Sequence, residues 1–242
     1  MFDSTVILNA RLPQRSGLYQ IAIQAGEVTK IEPTDRLLNQ PLSQFLSAAP
    51  RTAIDVEGDW ITLGAIDLQI NGALGLAFPD LRPDSLGKLQ SICELLWQQG
   101  VSGFCPTLVT TSLENFHGSL AAIRLFQQQQ AYADKADSAR VLGAHLEGPF
   151  LNRAKRGAHP AEFLQPLTRS AVETVVGKFA DAISIVTLAP EEAVEGVGEE
   201  GVEDGTVIPW LSAQGITVSL GHSLATAQQA KQAFDQGATM VT

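Results

Sequence analysis

Cysteine is almost missing from this sequence, two in 242 residues, and aromatic residues make up only 6%. Two cysteines cannot build the several-bridge framework of a small secreted domain. No uninterrupted apolar run approaches the roughly 18 residues that cross a bilayer as a helix. The opening stretch, MFDSTVILNARLPQRSG, lacks the basic, apolar and small-residue order of a secretory signal. These absences point to a cytoplasmic, reducing setting and to no membrane partner. Positive charge is scarce too, with 16 Lys and Arg against 26 Asp and Glu, a formal net charge of −10. Binding to a phosphate backbone needs clustered cations, so no nucleic-acid partner is expected. The one basic cluster, RAKRG at 153–157, suits a solvated loop or a pocket for a single phosphate equally well.

What is present is an ordinary globular composition, 45% hydrophobic and 17% charged. Two patterns divide the chain. Residues 1–60 hold short runs in which β-branched and polar residues alternate between turn formers: TVILNARL, YQIAIQAGEVTKIEP and TAIDVEGDWITLG. They predict hairpins of a small β-unit, part of a β-sandwich. Residues 61–242 alternate apolar strands with amphipathic helices. ITLGAIDLQIN precedes DSLGKLQSICELLWQQ, VSGFCPTLV precedes LENFHGSLAAIRLFQQQQ, and RVLGAHLEG precedes SAVETVVGKFADA after a long loop. ISIVTLA then precedes VIPWLSAQ, ITVSLGH precedes ATAQQAKQAFDQ, and TMVT starts a sixth strand. Strand and helix in alternation imply parallel strands joined by right-handed crossovers, which both a doubly wound sheet and a (β/α)8 barrel satisfy. A barrel takes about 250 residues, so here it would be incomplete, at about five and a half units. The acidic stretch at 191–205 interrupts the fourth unit and reads as an insertion without periodicity.

In such folds ligands bind at the carboxyl ends of the strands. The polar residues at those ends are Asp67, Gln69 and Asn71, then His145 and Glu147, then His222. Alternation puts His145 and Glu147 on one face, with Gly148-Pro149 closing their strand, so Glu147 stands at the rim. A carboxylate and an imidazole suit a divalent ion of the zinc or iron kind. Taken singly, His222 serves equally as a helix cap and Glu147 as an acceptor for loop N–H groups. Gln69 and Asn71 could fill the barrel or form a first-strand layer of the site. His117 falls within a helix and is expected on the surface. Cys93 and Cys105 are expected to be buried and inert.

The stretches LGAIDLQINGALGLAF, HLEGPFLNRAKRGAHP, VTLAPE and SLGHSLAT resemble, in order and spacing, the N-acetylglucosamine-6-phosphate deacetylases of the amidohydrolase superfamily. The resemblance implies a metallo-dependent-hydrolase (β/α)8 barrel behind a small β-unit, and removal of acetate from a phosphorylated amino sugar. It implies Glu147 and His222 as metal ligands, and Ala158 and His159 as contacts to the sugar. Where most amidohydrolases carry His-x-His on the first strand, this chain reads Gln69-Ile70-Asn71, which favours one metal ion, zinc or iron, over two. A third ligand is expected just after Thr242, and the catalytic aspartate further on, so the chain as it stands is expected to be inactive. A homodimer is implied for the whole protein. Two other readings stay open: an amidohydrolase for another amide or cyclic amide, and a non-catalytic binding or assembly module on the same scaffold.

Overall fold

In the computed structural model the described residues are 4–37, 52–132, 137–193 and 207–242. The backbone divides into two units, Met1–Leu63 and Gly64–Thr242. In the first, strands β1 (Ser4–Ala10), β2 (Tyr19–Gln24), β3 (Glu27–Pro33) and β4 (Thr52–Asp55) form one sheet in the order β3-β2-β1-β4. The expected hairpins hold for β1 to β3, which pair antiparallel. The β2–β3 turn at Ala25-Gly26 has positive φ at both residues, 54° and 81°, the geometry that tight hairpins demand. The third run is not a hairpin, since β4 lies parallel to β1.

The second unit carries β5 (Ala65–Ile70), a short β6–β7 ribbon (Gly72–Ala73, Leu76–Ala77), β8 (Val101–Val109), β9 (Arg140–Val141), β10 (Ala144–Glu147), β11 (Ile183–Leu188), β12 (Thr217–Leu220) and β13 (Met240–Val241). Helices α1 (Leu86–Gln98), α2 (Leu113–Tyr132), α3 (Arg169–Val176), α4 (Val207–Ala213) and α5 (Ala227–Asp235) alternate with them. The main sheet runs β13-β12-β11-β10-β8-β5, with every adjacent pair parallel. Spatial order thus follows chain order without reversal. A doubly wound sheet reverses at a switch point, so the ambiguity left by the sequence resolves to the barrel type, a curled parallel half-barrel.

The helices form where the sequence offers one apolar stripe. In α1 the buried residues are Leu89, Ile92, Cys93 and Leu96, spaced three, one and three apart as one face of a helix requires. That face meets the sheet's outer layer, where Phe104, Leu108, Leu146, Val186 and Val218 are wholly buried. Each such side chain stabilises the fold by about 1.5–3 kcal/mol. Helix α3 is shorter than the pattern suggested. It ends at Val176 because Gly177 turns left-handed, φ 53°, and a 3-10 turn at Ala180–Ala182 follows. Thr226 opens α5 with a capping box to Gln229.

The stretch at 191–205 also needs correction where it is described. Pro190–Glu192 forms a 3-10 turn directly after β11, and both of its glutamates are hydrogen-bonded. Residues 194–206 lie outside the described residues. Among the described residues no helix is long and apolar enough to cross a membrane.

Candidate metal centre

Glu147 ends β10, the third principal strand, and is 5% exposed. A buried carboxylate needs partners for its lone pairs, and here they arrive from both sides. Gln69 Nε2, from β5, donates to Glu147 Oε2 at 3.0 Å. His222 Nε2, just past β12, lies 3.1 Å from Glu147 Oε1. Each partner sits two strands from β10, about 10 Å away in a flat sheet. Sheet curl brings the three side chains together.

His159 comes from the loop after β10 and is 7% exposed. Its Nε2 is 4.0 Å from Glu147 Oε1, and its ring stands edge-on to His222 with centroids 4.7 Å apart. Ligand atoms of Glu147, His159 and His222 all fall within 4.8 Å of one another, so the group could hold a metal ion.

Both histidines turn Nε2 to that centre, but in different tautomers. His222 Nδ1 is 2.9 Å from the Lys155 carbonyl, which only accepts. Nδ1 therefore carries the proton, and Nε2 turns toward Glu147 as a metal ligand should. His159 takes the other tautomer. The backbone N–H of Thr110 donates to its Nδ1 at 3.3 Å, with the Thr110 hydroxyl 2.9 Å from the same atom. The Thr110 N–H makes Nδ1 an acceptor, so the neutral ring carries its proton on Nε2, facing the cleft. Burial holds the His159 pKa below the ordinary imidazole value, opposed by Glu147 and reinforced by His222.

Beneath the rim lies a polar layer. His145 is fully buried, donating from Nδ1 to the Leu68 carbonyl at 2.9 Å and accepting from Thr187 Oγ1 at Nε2, 2.7 Å. Burial lowers its pKa, against the pull of the Leu68 carbonyl and Glu147. Thr187 and Ser219 in turn lie 3.3 and 2.6 Å from the Thr242 hydroxyl.

Of the remaining candidates, Ala158 is exposed in the turn before His159, and Asn71 is exposed just beyond β5. Asp67 is turned back on its own strand, accepting from the Gln69 N–H at 3.1 Å. The basic loop spends its guanidinium groups locally. Arg156 donates to the His159 and Gly157 carbonyls at 2.6 and 3.3 Å, and Arg153 to the Ala161 carbonyl at 3.4 Å. His117 is not a free surface residue: it is half-buried, with Nε2 3.0 Å from the Thr174 carbonyl and its ring 5.6 Å from that of Phe179.

Thr110, Asn152, Glu191 and Glu192 escaped the sequence reading. Thr110 stands at a strand's carboxyl end and the strand-end rule would have found it. Asn152 lies on a loop, where spacing carries no signal, and Glu191 and Glu192 lie in the 3-10 turn after β11, hidden by the acidic run.

A curled parallel sheet with a Glu/His cluster at its carboxyl rim defines a TIM-type barrel of the amidohydrolase kind, incomplete in this chain and accompanied by a small sheet. In sequence the chain is homologous to the amino-terminal part of the N-acetylglucosamine-6-phosphate deacetylases. It is 36% identical over 191 residues to the Danio rerio N-acetylglucosamine-6-phosphate deacetylase, covering 78% of this chain and 44% of that protein. It is 30% identical over 220 residues to an N-acetylgalactosamine-6-phosphate deacetylase of Escherichia coli O157:H7, covering 91% and 50%. Among solved structures, the N-acetylglucosamine-6-phosphate deacetylase of Pasteurella multocida superposes with a TM-score of 0.72 at 27% identity, over 98% of this chain and 56% of that one. The chain spans about half the length of the curated relatives it matches. No family model matches it.

Proposed function

We propose that this chain forms the metal-holding amino-terminal part of an enzyme that hydrolyses N-acetylglucosamine 6-phosphate to glucosamine 6-phosphate and acetate. The observation that carries the reading is the pairing of Glu147 with a His222 ring whose Nδ1–H is fixed on the Lys155 carbonyl. The proteins of that name to which the chain is similar supply the substrate.

The donor set fits one divalent ion, zinc or iron, held by Glu147 Oε1 and His222 Nε2. When bound, such an ion supplies Lewis acidity to water and to an amide carbonyl. Gln69 occupies Glu147 Oε2 and leaves Oε1 as the ligating atom, which supports a single ion. Where other amidohydrolases place imidazoles on this strand, Gln69 acts as a carboxylate partner and Asn71 extends the rim. His159, with Ala158 beside it, offers Nε2–H to a sugar oxygen. Arg156 holds the His159 carbonyl and so sets the backbone that delivers that ring. A cytoplasmic homodimer belongs to the same reading, and two buried free cysteines suit a reducing compartment.

The test is a chimera in which this chain replaces the matching portion of the Danio rerio relative. Acetate release is assayed with the 6-phosphates of N-acetylglucosamine and N-acetylgalactosamine, with and without Zn²⁺ or Fe²⁺. Metal-dependent release from the gluco sugar, abolished by Glu147→Gln, is expected. A folded chimera that loads metal yet acts on neither sugar overturns the reading, and preference for the galacto sugar moves the assignment to that substrate.

A further inference from the structure

His222 stands in a backbone conformation that a histidine does not choose. Its φ is +49°, in the left-handed region, where a residue with a Cβ costs about 1–3 kcal/mol and persists only when its surroundings over-determine it. The restraints come from two directions. On one side, the Asn152 N–H donates to the His222 carbonyl at 3.0 Å, and His222 Nδ1–H donates to the Lys155 carbonyl at 2.9 Å. On the other, the two residues after His222 are held by Glu191, which accepts from the Ser223 hydroxyl at 2.6 Å and from the Leu224 N–H.

Both sides lead back to one short turn. Asn152 Nδ2 donates to Glu192 Oε1 at 2.7 Å, and Asn152 Oδ1 accepts from the Ala154 N–H at 2.9 Å. The Lys155 N–H then closes on the Asn152 carbonyl at 2.9 Å, which presents the Lys155 carbonyl to the imidazole. Glu191 and Glu192 are adjacent in the 3-10 turn after β11, the strand between β10 and β12. One acidic pair therefore grips the loop that carries His222 and the loop that orients its ring.

We infer that Glu191 and Glu192 are positioning residues for His222, setting the direction of its Nε2 without touching substrate or metal themselves. The inference rests on the metal-site reading above. Supporting hydrogen bonds of this kind are worth about 10- to 100-fold in metal affinity. The direct acceptor for the ring is the Lys155 carbonyl, and the two carboxylates act one contact further out, holding the loops on either side of the strained backbone.

The experiment uses the 242-residue chain, isotope-labelled, in wild-type form and as the Glu191→Ala/Glu192→Ala and Glu191→Gln/Glu192→Gln variants. The first readout is the His222 Nδ1–H proton signal and its coupling through the hydrogen bond to the Lys155 carbonyl carbon, without metal. The second is Zn²⁺ affinity by competition with a chromophoric chelator. The alanine pair is expected to lose the Nδ1–H signal and to bind Zn²⁺ about 10- to 100-fold more weakly. The glutamine pair keeps one acceptor oxygen at each place, for Asn152 Nδ2 and the Leu224 N–H, and the Ser223 hydroxyl can accept from the new amide N–H at position 191, so both readouts return to within about threefold. Val172→Ala, a buried change on α3, lowers stability but leaves both readouts at wild-type values. An alanine pair that keeps the Nδ1–H bond and the wild-type affinity overturns the inference, as does a glutamine pair that rescues neither. Should the double alanine variant not fold, the two single alanine variants carry the same test. Failure of the wild-type chain to bind Zn²⁺ counts against the metal reading alone, and the proton signal still decides the positioning role.

Discussion

The carbonyl of Lys155 lies 2.9 Å from Nδ1 of His222, and that contact holds the proton on Nδ1, away from the Nε2 that faces Glu147. Across the same centre His159 also turns Nε2 to Glu147, but the Thr110 N–H, donating to its Nδ1, leaves the proton on Nε2. Proximity alone would group Glu147, His159 and His222 as three ligands. Hydrogen-bond polarity divides them, and under the proposed function Glu147 and His222 act as ligands and His159 as a donor. Accordingly His222→Ala and Glu147→Gln should each weaken Zn²⁺ binding by at least about 100-fold, beyond what loss of a supporting contact costs. His159→Asn should change it by less than about tenfold while weakening binding of N-acetylglucosamine 6-phosphate. Chelator competition and sugar-phosphate titration check both halves. Equal losses of metal for all three variants would make His159 a ligand.

Gln69 donates to the Glu147 oxygen that does not face His222. Gln69→Ala removes that donor from a buried carboxylate, and Zn²⁺ affinity should fall by about 10- to 100-fold. Gln69→Glu places a second carboxylate there, so it should raise Zn²⁺ affinity relative to Gln69→Ala but destabilise the metal-free chain. Urea unfolding with and without Zn²⁺ reads the contrast. If both variants match wild type in affinity, the amide is only filling space.

Much of this was legible in the chain because strand and helix periodicity survives burial. The α1 stripe of Leu89, Ile92, Cys93 and Leu96 could be read from spacing, and so could the six principal parallel strands. That Glu147 and His222 meet was legible because strand ends converge. What resisted reading depends on the third dimension. That Gln69 reaches Glu147 follows from sheet curl, and that His117 bridges to the Thr174 carbonyl follows from how α2 packs on α3. The role of Glu191 was hidden inside an acidic run whose composition spoke for solvent. The choice between doubly wound sheet and barrel turns on strand order, on which alternation is silent.

Gly148 links the strand that carries Glu147 to the residue that orients His159. Its φ is +85°, and a Cβ added there would stand 2.3 Å from Thr110 Oγ1. Gly148→Ala must therefore push Thr110 aside as well as strain the backbone. A loss of about 1–3 kcal/mol from the strain alone is expected in urea unfolding. The His159 ring should also lose its fixed tautomer, seen in its ring-nitrogen shifts. An alanine variant with wild-type stability and an unchanged His159 spectrum would contradict the close approach.

The two thiols give a stability effect with a definite sign. Cys93 and Cys105 are free and buried, and burial is the main cause pushing their pKa values from 9.0 up to about 12 and about 11. At pH 8 both are protonated and shielded, so native chain should react with a thiol reagent only on unfolding. Above pH 9 the unfolded chain releases these protons while the folded chain retains them. Stability then falls as pH rises, by about 1.4 kcal/mol per pH unit for each thiol. The loss begins near pH 9 and ends at the folded values, near 11 for Cys105 and 12 for Cys93. Tyrosines and lysines titrate in the same range, so the informative quantity is the difference from a Cys93→Ala/Cys105→Ala variant. That variant should start less stable at pH 8, having lost buried volume, and should show a shallower alkaline slope. Parallel slopes between pH 9 and 11 would mean that the thiols ionise in the folded chain as readily as in the unfolded one.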